Sequence, residues 1–401
     1  MTKDNSHHKI GLVTATIICM NSMIGAGIFT TPAKLALSAG PAGIITYIFV
    51  IAAVLFMALS LARVAALYPQ EGSFYVYAKA WGGHTVGIIA AGAYVVGVLI
   101  ALSLITQLTA GYLHELVPAL SINMWGILVV SAIVGLNIIG VKMVQVGQII
   151  LLGCTLFALL GTTVLGLTHI KLSNLAPFMP MGWGSLADAV PAAIFAFFGF
   201  ESAASLFSVV KSPERNVPRA LTYSILAVGI VYLAFVSSII LAIPREEFTS
   251  ARMPISEAIV KLFPHYAWLA KAIGIAILTA FLGVLQSMTY SVSALAFSFF
   301  KLLHNNYARV ITRSEYGFQA IVVSVGLCVL LNFFAIKSLD LFFNLTAVGV
   351  VFAYASSIIT LLIKGHDKTV GQKVTTFLGL ATAAATFIIA FNGVLGELFK
   401  S

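Results

Sequence analysis

Two long apolar segments of this sequence are interrupted by glycine near their middles. The first contains Gly25 and Gly27, and the second contains Gly199 two residues before Glu201. Glycine disfavours a helix by roughly 1 kcal/mol relative to alanine, so each segment is expected to open at its glycines. Inside a bilayer, opened backbone is tolerated only where it is buried in protein or lines a cavity. The pair therefore predicts two broken helices that face an internal site.

The composition is that of a membrane protein. Hydrophobic residues make up 60% of the 401 residues and charged residues only 9%, whereas about 25% are charged in soluble domains. The net charge of +9 is spread over short loops without a basic block, which argues against nucleic acid as a partner. The three cysteines lie in apolar runs without a C-x-x-C pair, so neither a disulfide framework nor a metal site is expected.

A bilayer-spanning helix needs about 20 mostly apolar residues. The sequence predicts eleven such spans, near residues 11–37, 41–67, 84–113, 122–140, 143–168, 186–210, 219–243, 266–300, 318–336, 340–363 and 374–398. A cytoplasmic N-terminus would place 14 of the 22 Lys and Arg residues on the inner side, as the positive-inside rule favours.

The broken segments are the first and sixth predicted spans. Because they are five helices apart, the second set of five must be inverted relative to the first. We therefore expect an all-α multi-pass fold with a five-plus-five inverted repeat. Residues 1–10 would form a cytoplasmic tail, 11–365 the ten-helix transport core, and 366–401 a cytoplasmic loop and one accessory helix.

The two breaks suit a zwitterion. Opening the first span leaves a half-helix that begins near Ile28, whose free N–H groups favour a carboxylate. Opening the second after Phe198 leaves carbonyl groups that favour an ammonium group. An α-amino acid carries both groups, and paired broken helices are typical of secondary transporters. The alternative is that these glycines only allow helices to pack closely.

Glu201 is the one acidic residue deep within an apolar segment. A charge at that depth costs at least ~2.5 kcal/mol, so Glu201 is expected to face a pathway and to bind a proton, a cation or a substrate amine. Tyr94 and Tyr354 are candidate partners, and a purely structural hydrogen bond is the alternative. Phe195 and Phe198 crowd the second break, where either ring could cap a substrate or serve only packing.

Several motifs resemble the amino acid–polyamine–organocation superfamily. They are Met23-Ile24-Gly25-Ala26-Gly27-Ile28-Phe29 with Pro32-Ala33, Glu71-Gly72-Ser73 with Tyr75 and Tyr77, Phe197-Phe198-Gly199-Phe200-Glu201-Ser202-Ala203, and the loop from Ser212 to Ala220. The resemblance covers roughly residues 10–365. The glutamate in the helix-six motif is most similar to basic amino acid/polyamine antiporters, which exchange arginine for agmatine or ornithine for putrescine.

This resemblance implies a LeuT-like fold that works by alternating access. The substrate carboxylate would meet the N–H groups of Ala26 and Gly27, and its amino group the carbonyls of Met23, Phe195 and Phe198. Phe195 falls at the position of an aromatic gate, and a second gate towards the cytoplasm would comprise Tyr94, Glu201 and Tyr354.

Three positions depart from the antiporter pattern. Leu102 and Met288 stand where antiporters hold the arginine side chain with a polar group and an aromatic ring, so they make the pocket less suited to a guanidinium. Thr155 stands where some relatives carry a lysine linked to proton coupling or gating. The family usually has twelve helices, one more than the sequence predicts here.

We therefore expect a secondary active amino acid transporter of the plasma (inner) membrane, acting as an exchanger or a proton-coupled symporter. The sequence contains no Walker loop and no catalytic constellation, so no enzymatic activity and no cofactor are expected. The expected partners are an amino acid or amine substrate, protons and lipid, and a homodimer stays open. The alternatives are a polyamine/basic amino acid antiporter, a transport-inactive sensor or partner-dependent subunit, and a membrane-embedded enzyme.

Overall fold

The computed structural model describes residues 10–70, 72–139, 142–201, 210–248, 267–302, 310–311, 313–314 and 316–399. Thirteen α-helices lie in this part of the chain: α1 (Leu12–Met23), α2 (Ala26–Ala39), α3 (Gly43–Leu67), α4 (Ser73–Leu116), α5 (Ile122–Ile139), α6 (Lys142–Thr168), α7 (Gly184–Asp188), α8 (Val190–Phe195), α9 (Pro213–Ala242), α10 (Ala267–Leu302), α11 (Gly317–Ala335), α12 (Leu339–Ile363) and α13 (Val370–Leu398). The same residues form no strand, apart from an isolated bridge between Ile10 and Val210.

The predicted spans coincide with these helices to within a few residues, except at the second break. Eight helical stretches are long and apolar enough to cross a membrane, and three shorter apolar helices accompany them. Large hydrophobic side chains such as Phe49, Ile230, Leu331 and Phe377 are exposed along the long helices. Such an apolar surface is expected where lipid replaces water as the solvent. The all-α multi-pass fold with two broken helices is confirmed.

The first span is divided into α1 and α2. The irregular backbone is confined to Ile24 and Gly25, and the second half-helix begins at Ala26 rather than near Ile28. The expectation that Gly27 is unwound was therefore wrong. Gly27 lies in the first turn of α2, where the absence of a side chain allows close packing instead.

The second break follows α8. Residues 196–199 form turns, and Phe200 and Glu201 form one 3₁₀ turn. The predicted continuation of this span through residues 202–209 lies outside the described residues. Regular helix thus ends at the predicted break in the first span and, within the described residues, at the predicted break in the sixth.

Helix α4 contains two helices that meet at a kink at Gly83. Residues 84–116 form the third predicted span, and residues 73–82 form a short helix before it, which we call the inner helix. The indole N–H of Trp81 donates to the carbonyl of Ser356 (2.7 Å), and the hydroxyl of Thr360 donates to the carbonyl of Tyr77 (2.7 Å). These bonds fasten the inner helix to the second half of α12.

The accessory helix α13 packs against α3 and α12. At one end, the guanidinium of Arg63 on α3 pairs with the buried carboxylate of Asp367 and donates to the hydroxyl of Thr376 (3.0 Å). A buried carboxylate needs such a partner, because it has lost its hydration. The loop between α12 and α13 is thereby fixed to the end of α3.

Candidate substrate site between the two helix breaks

The two breaks are in direct backbone contact. A Cβ atom built on Gly199 would lie 2.3 Å from the carbonyl oxygen of Ser22, one residue before the end of α1. Gly27 lies in the first turn of α2, and a Cβ atom built on it would lie 2.8 Å from the Cα of Ala196. Only glycine allows either approach, so the positions predicted to open are also the positions where the two segments meet.

The first break presents the N-terminus of α2. The backbone at Ile24 (ψ 85°) and Gly25 (φ −142°, ψ −147°) is irregular rather than helical. The first N–H groups of a helix have no acceptor within it and carry a partial positive charge, which favours an anion. In α2 these groups belong to Ala26, Gly27 and Ile28. Gly25 itself packs against α10, where Val284 would be 2.2 Å from an added Cβ.

The second break presents the C-terminus of α8. The N–H of Phe197 donates to the carbonyl of Ile194 (3.0 Å), and the N–H of Phe198 donates to that of Phe195 (3.2 Å). Gly199 then adopts a left-handed conformation with φ 111°, which turns the chain away from the helix axis. Carbonyl groups at such an end carry a partial negative charge.

Glu201 lies just beyond the second break and is 3% exposed. Its Oε1 accepts from the hydroxyl of Tyr94 (2.7 Å), and its Oε2 accepts from the hydroxyl of Tyr354 (2.7 Å) and from the N–H of Gly199 (3.0 Å). The carboxyl group is therefore fully engaged by three different elements. The structure brings together all three residues that the sequence predicted as an inner gate.

Phe74 covers this cluster and was missed from the sequence. Its ring lies 4.3 Å from that of Tyr94 and 5.8 Å from that of Tyr354, and its side chain is buried. It belongs to the inner helix, which lies outside every predicted span. The Glu71-Gly72-Ser73 motif, directly before Phe74, was the available clue.

Tyr232 on α9 was also missed. Its hydroxyl donates to the carbonyl of Met23 (2.8 Å), and the side chain is fully buried. Met23 is the last residue of α1, so this bond holds the end of the half-helix in place. A carbonyl oxygen has two lone pairs, so that of Met23 can still accept a second donor.

Aromatic rings close the opposite side of the breaks from Glu201. The ring of Phe195 lies 5.1 Å from that of Phe343 and 6.1 Å from that of Phe198, in both cases edge to face. Phe195 and Phe198 are each 6% exposed. Edge-to-face pairs of this kind contribute about 0.5–1.5 kcal/mol beyond burial. The contact therefore holds the rings together but can be broken by side-chain rotation.

The two residues predicted to shape the side-chain pocket lie on different helices. Met288 is buried one turn after Val284 on α10, which places it on the face of α10 that contacts Gly25. Leu102 is fully buried in α4 and lines a small cavity that it shares with α5, α10 and α11. The roles of both residues stay predictions.

In the described part of the chain, no group of three or more His, Cys, Asp and Glu side chains is arranged to hold a metal ion. Cys19 is buried in α1, and Cys154 and Cys328 are half-buried in α6 and α11. The site consists of backbone groups, aromatic rings and one buried carboxyl group.

Comparison with known proteins supplies the family. The model of the amino acid permease family matches residues 10–397. The chain belongs to this family. It is therefore a member of the amino acid–polyamine–organocation superfamily, as the motifs in both broken helices predicted. The match extends past the residues that carried the resemblance and includes α13.

Three curated relatives give the range of similarity. The chain is 27% identical to the branched-chain amino acid permease of Bacillus subtilis, over 72% of this chain and 66% of that protein. It is 26% identical to the gamma-aminobutyric acid permease of Escherichia coli, over 80% and 72% of the two chains. It is 30% identical to an uncharacterised transporter of Mycobacterium bovis, over 72% and 65%. The chain thus spans about two thirds of the length of the relatives it matches.

The contact between the breaks is testable with one methyl group. Gly199→Ala places a Cβ atom on a left-handed residue and against the carbonyl of Ser22, so we expect the segments to separate and amino acid uptake to fall at least tenfold. Gly161→Ala is the matched control, since nothing lies within 4 Å of a Cβ atom there. In that half-buried helical position, with room for a methyl group, alanine should stabilise the protein by about 0.5–1 kcal/mol. Radiolabelled uptake and thermal stability, measured on both purified variants, check the prediction. Full uptake by Gly199→Ala would contradict it.

Proposed function

We propose that this protein is a secondary active amino acid transporter that binds its substrate between the two helix breaks. The observation that carries the proposal is the backbone contact of Gly199 with Ser22 and of Gly27 with Ala196. This contact sets the N-terminus of α2 beside the C-terminus of α8. The family membership and the names of the relatives support amino acids as the substrate class.

A bound amino acid would use the opposite partial charges of the two ends. Its carboxylate would accept from the N–H groups of Ala26 and Gly27, and its ammonium group would donate to the carbonyls of Met23, Phe195 and Phe198. The hydrogen bond from Tyr232 to Met23 supports this arrangement, because it positions one of those carbonyls. Binding through these hydrogen bonds would need no covalent step, so the protein would act as a carrier rather than an enzyme.

Alternating access needs a barrier on each side of the substrate. Phe195, with Phe343, would close the outer side, and Tyr94, Glu201 and Tyr354 would close the cytoplasmic side. The two barriers lie about 16 Å apart along α12, from Phe343 to Tyr354, at 1.5 Å per residue. That distance leaves room for an amino acid between them. Substrate or proton must bind the two facing states differently for the barriers to open in turn.

The membrane arrangement completes the proposal. The protein would lie in the inner membrane with residues 1–10 in the cytoplasm, ten helices in the transport core, and α13 as an accessory helix. Exchange and proton-coupled symport are both compatible with a buried carboxyl group at the cytoplasmic gate. The charge-free residues Leu102 and Met288 favour a neutral side chain over arginine or a polyamine.

Counterflow tests the carrier mechanism. Purified protein in liposomes loaded with unlabelled leucine or gamma-aminobutyric acid should accumulate the labelled form of that amino acid transiently. A carrier exchanges internal unlabelled substrate for external label, and the outward gradient of unlabelled substrate drives this exchange. Liposomes without protein provide the control. A screen of the other common amino acids, agmatine and putrescine as competitors would define the substrate. If no compound in the screen supports counterflow, the protein is a sensor or a partner-dependent subunit instead.

Glu201 is expected to confer pH dependence on uptake. Glutamine at this position keeps one acceptor oxygen, places a donor NH2 where the second carboxylate oxygen was, and cannot titrate. Glu201→Gln should therefore flatten the pH profile of uptake or abolish transport. Glu214→Gln is the matched control, because Glu214 is an exposed acid in the first turn of α9. Initial uptake rates across a pH series, in the same liposomes, provide the measurement. An unchanged profile in Glu201→Gln would remove Glu201 from the coupling role.

A further inference from the structure

A cavity of about 540 Å³ lies on the outer side of the breaks, at the ends of α2, α12 and α13 and beside α7 and α8. We call it the outer cavity. The residues that give it its chemistry are Lys34, Asp188, Asp340, Phe343, Asn344 and Glu397. Asp340 lies about 21 Å from Tyr354 along α12, at 1.5 Å per residue. The outer cavity is therefore distinct from the Glu201 cluster, and its size falls within the range of about 300–1,000 Å³ for small-molecule sites.

The charged groups of the outer cavity are predominantly acidic. The ammonium of Lys34 pairs with the carboxylate of Asp340 (2.5 Å), and the carboxylate of Glu397 accepts from the hydroxyl of Ser338 (2.7 Å). Asp188 adds a third carboxylate at the exposed rim. Three carboxylates and one ammonium leave a net charge of −2. A cavity lined by one sign of charge concentrates counter-ions, so this one attracts cations.

Asn344 provides an independent indication of a ligand. Its side chain is only 7% exposed, lines the outer cavity and makes no hydrogen bond with any residue that the structure describes. Gly393 of α13 packs directly against its amide, since an added Cβ atom there would lie 2.5 Å from Nδ2. An amide that lines a cavity and bonds to no protein group keeps its donors and its acceptor oxygen for a ligand. Its oxygen can accept from an ammonium group that enters the cavity.

The floor of the outer cavity connects it to the candidate substrate site. Phe343 lines the cavity, and its ring is 5.1 Å from that of Phe195 beside the second break. A molecule in the cavity is thus separated from the breaks by one pair of aromatic rings. An incoming molecule could therefore bind to the acidic lining and the amide of Asn344 before it reaches the breaks.

We propose that the outer cavity is a second binding site, which holds the ammonium group of an amino acid through the carboxylate of Asp188 and the amide oxygen of Asn344. The bound molecule then passes Phe343 and Phe195 to reach the breaks. This assignment rests on the proposed transport function, and it adds a site that the helix breaks do not contain.

Protection of an introduced thiol tests the proposal. Ser38 lines the outer cavity and is half-buried, so Ser38→Cys in nanodiscs should react with a membrane-impermeant maleimide. Ethylammonium chloride is the probe, because it has an ammonium group but no carboxylate to bind at α2. We expect it to slow the labelling, whereas acetamide, which is neutral, should not. The protein without Ser38→Cys measures the background from its three natural cysteines.

Variants on the Ser38→Cys background identify the groups responsible. Asp188→Asn should raise the ethylammonium concentration for half-protection about threefold or more, in keeping with the modest strength of exposed ion pairs. Asn344→Ala should raise it as well. Glu246→Gln is the matched control, because Glu246 is an exposed acid beyond the end of α9 and outside the lining of the outer cavity.

The labelling and counterflow results can each contradict the second binding site or the carrier mechanism. The second binding site is overturned if ethylammonium gives no protection, or if it protects Asp188→Asn and Glu246→Gln at the same concentration. Counterflow measured on the Ser38→Cys protein separates this proposal from the transport function. Counterflow without protection contradicts the second site alone, and protection without counterflow contradicts the carrier mechanism.

Discussion

The close approach of Gly199 to the carbonyl of Ser22 determines how the rest of the molecule is arranged. It brings the end of α1 and the turn after α8 together, at the point where each segment leaves its helix. In hydrocarbon, such irregular backbone is tolerated only inside the protein. The surrounding helices α3, α9 and α12 therefore have to enclose the two breaks, and their contacts with α1 and α8 do so.

The enclosure uses different chemistry on its two sides. Towards the inner helix, Glu201 is bonded to Tyr94 and Tyr354 and covered by Phe74. Towards the outer cavity, the barrier is the ring pair of Phe195 and Phe343. A polar network depends on protonation and hydrogen bonding, whereas an aromatic pair depends on side-chain rotation. Under the proposed mechanism the two barriers can therefore respond to different events, one to a proton and the other to the substrate.

Much of this architecture could be predicted from the sequence, because bilayer thickness fixes helix length and a buried acid needs partners. The spans followed from bilayer thickness, and the need of Glu201 for partners made Tyr94 and Tyr354 candidates. Their grouping as a gate came from the resemblance to the superfamily. Phe74 and Tyr232 could not be found in that way, because their roles depend on which helices become neighbours. Gly27 was expected to be unwound, but helical backbone and a close contact with Ala196 are equally compatible with glycine.

A cryo-electron microscopy structure with a transported amino acid bound would test the central claim most directly. The account predicts density between the two breaks, with the carboxylate within hydrogen-bond distance of the N–H groups of Ala26 and Gly27. It also predicts the ammonium group within that distance of the carbonyls of Met23, Phe195 and Phe198. Continuous helix through residues 23–27 or 195–201, or an amino acid bound away from both breaks, would contradict it.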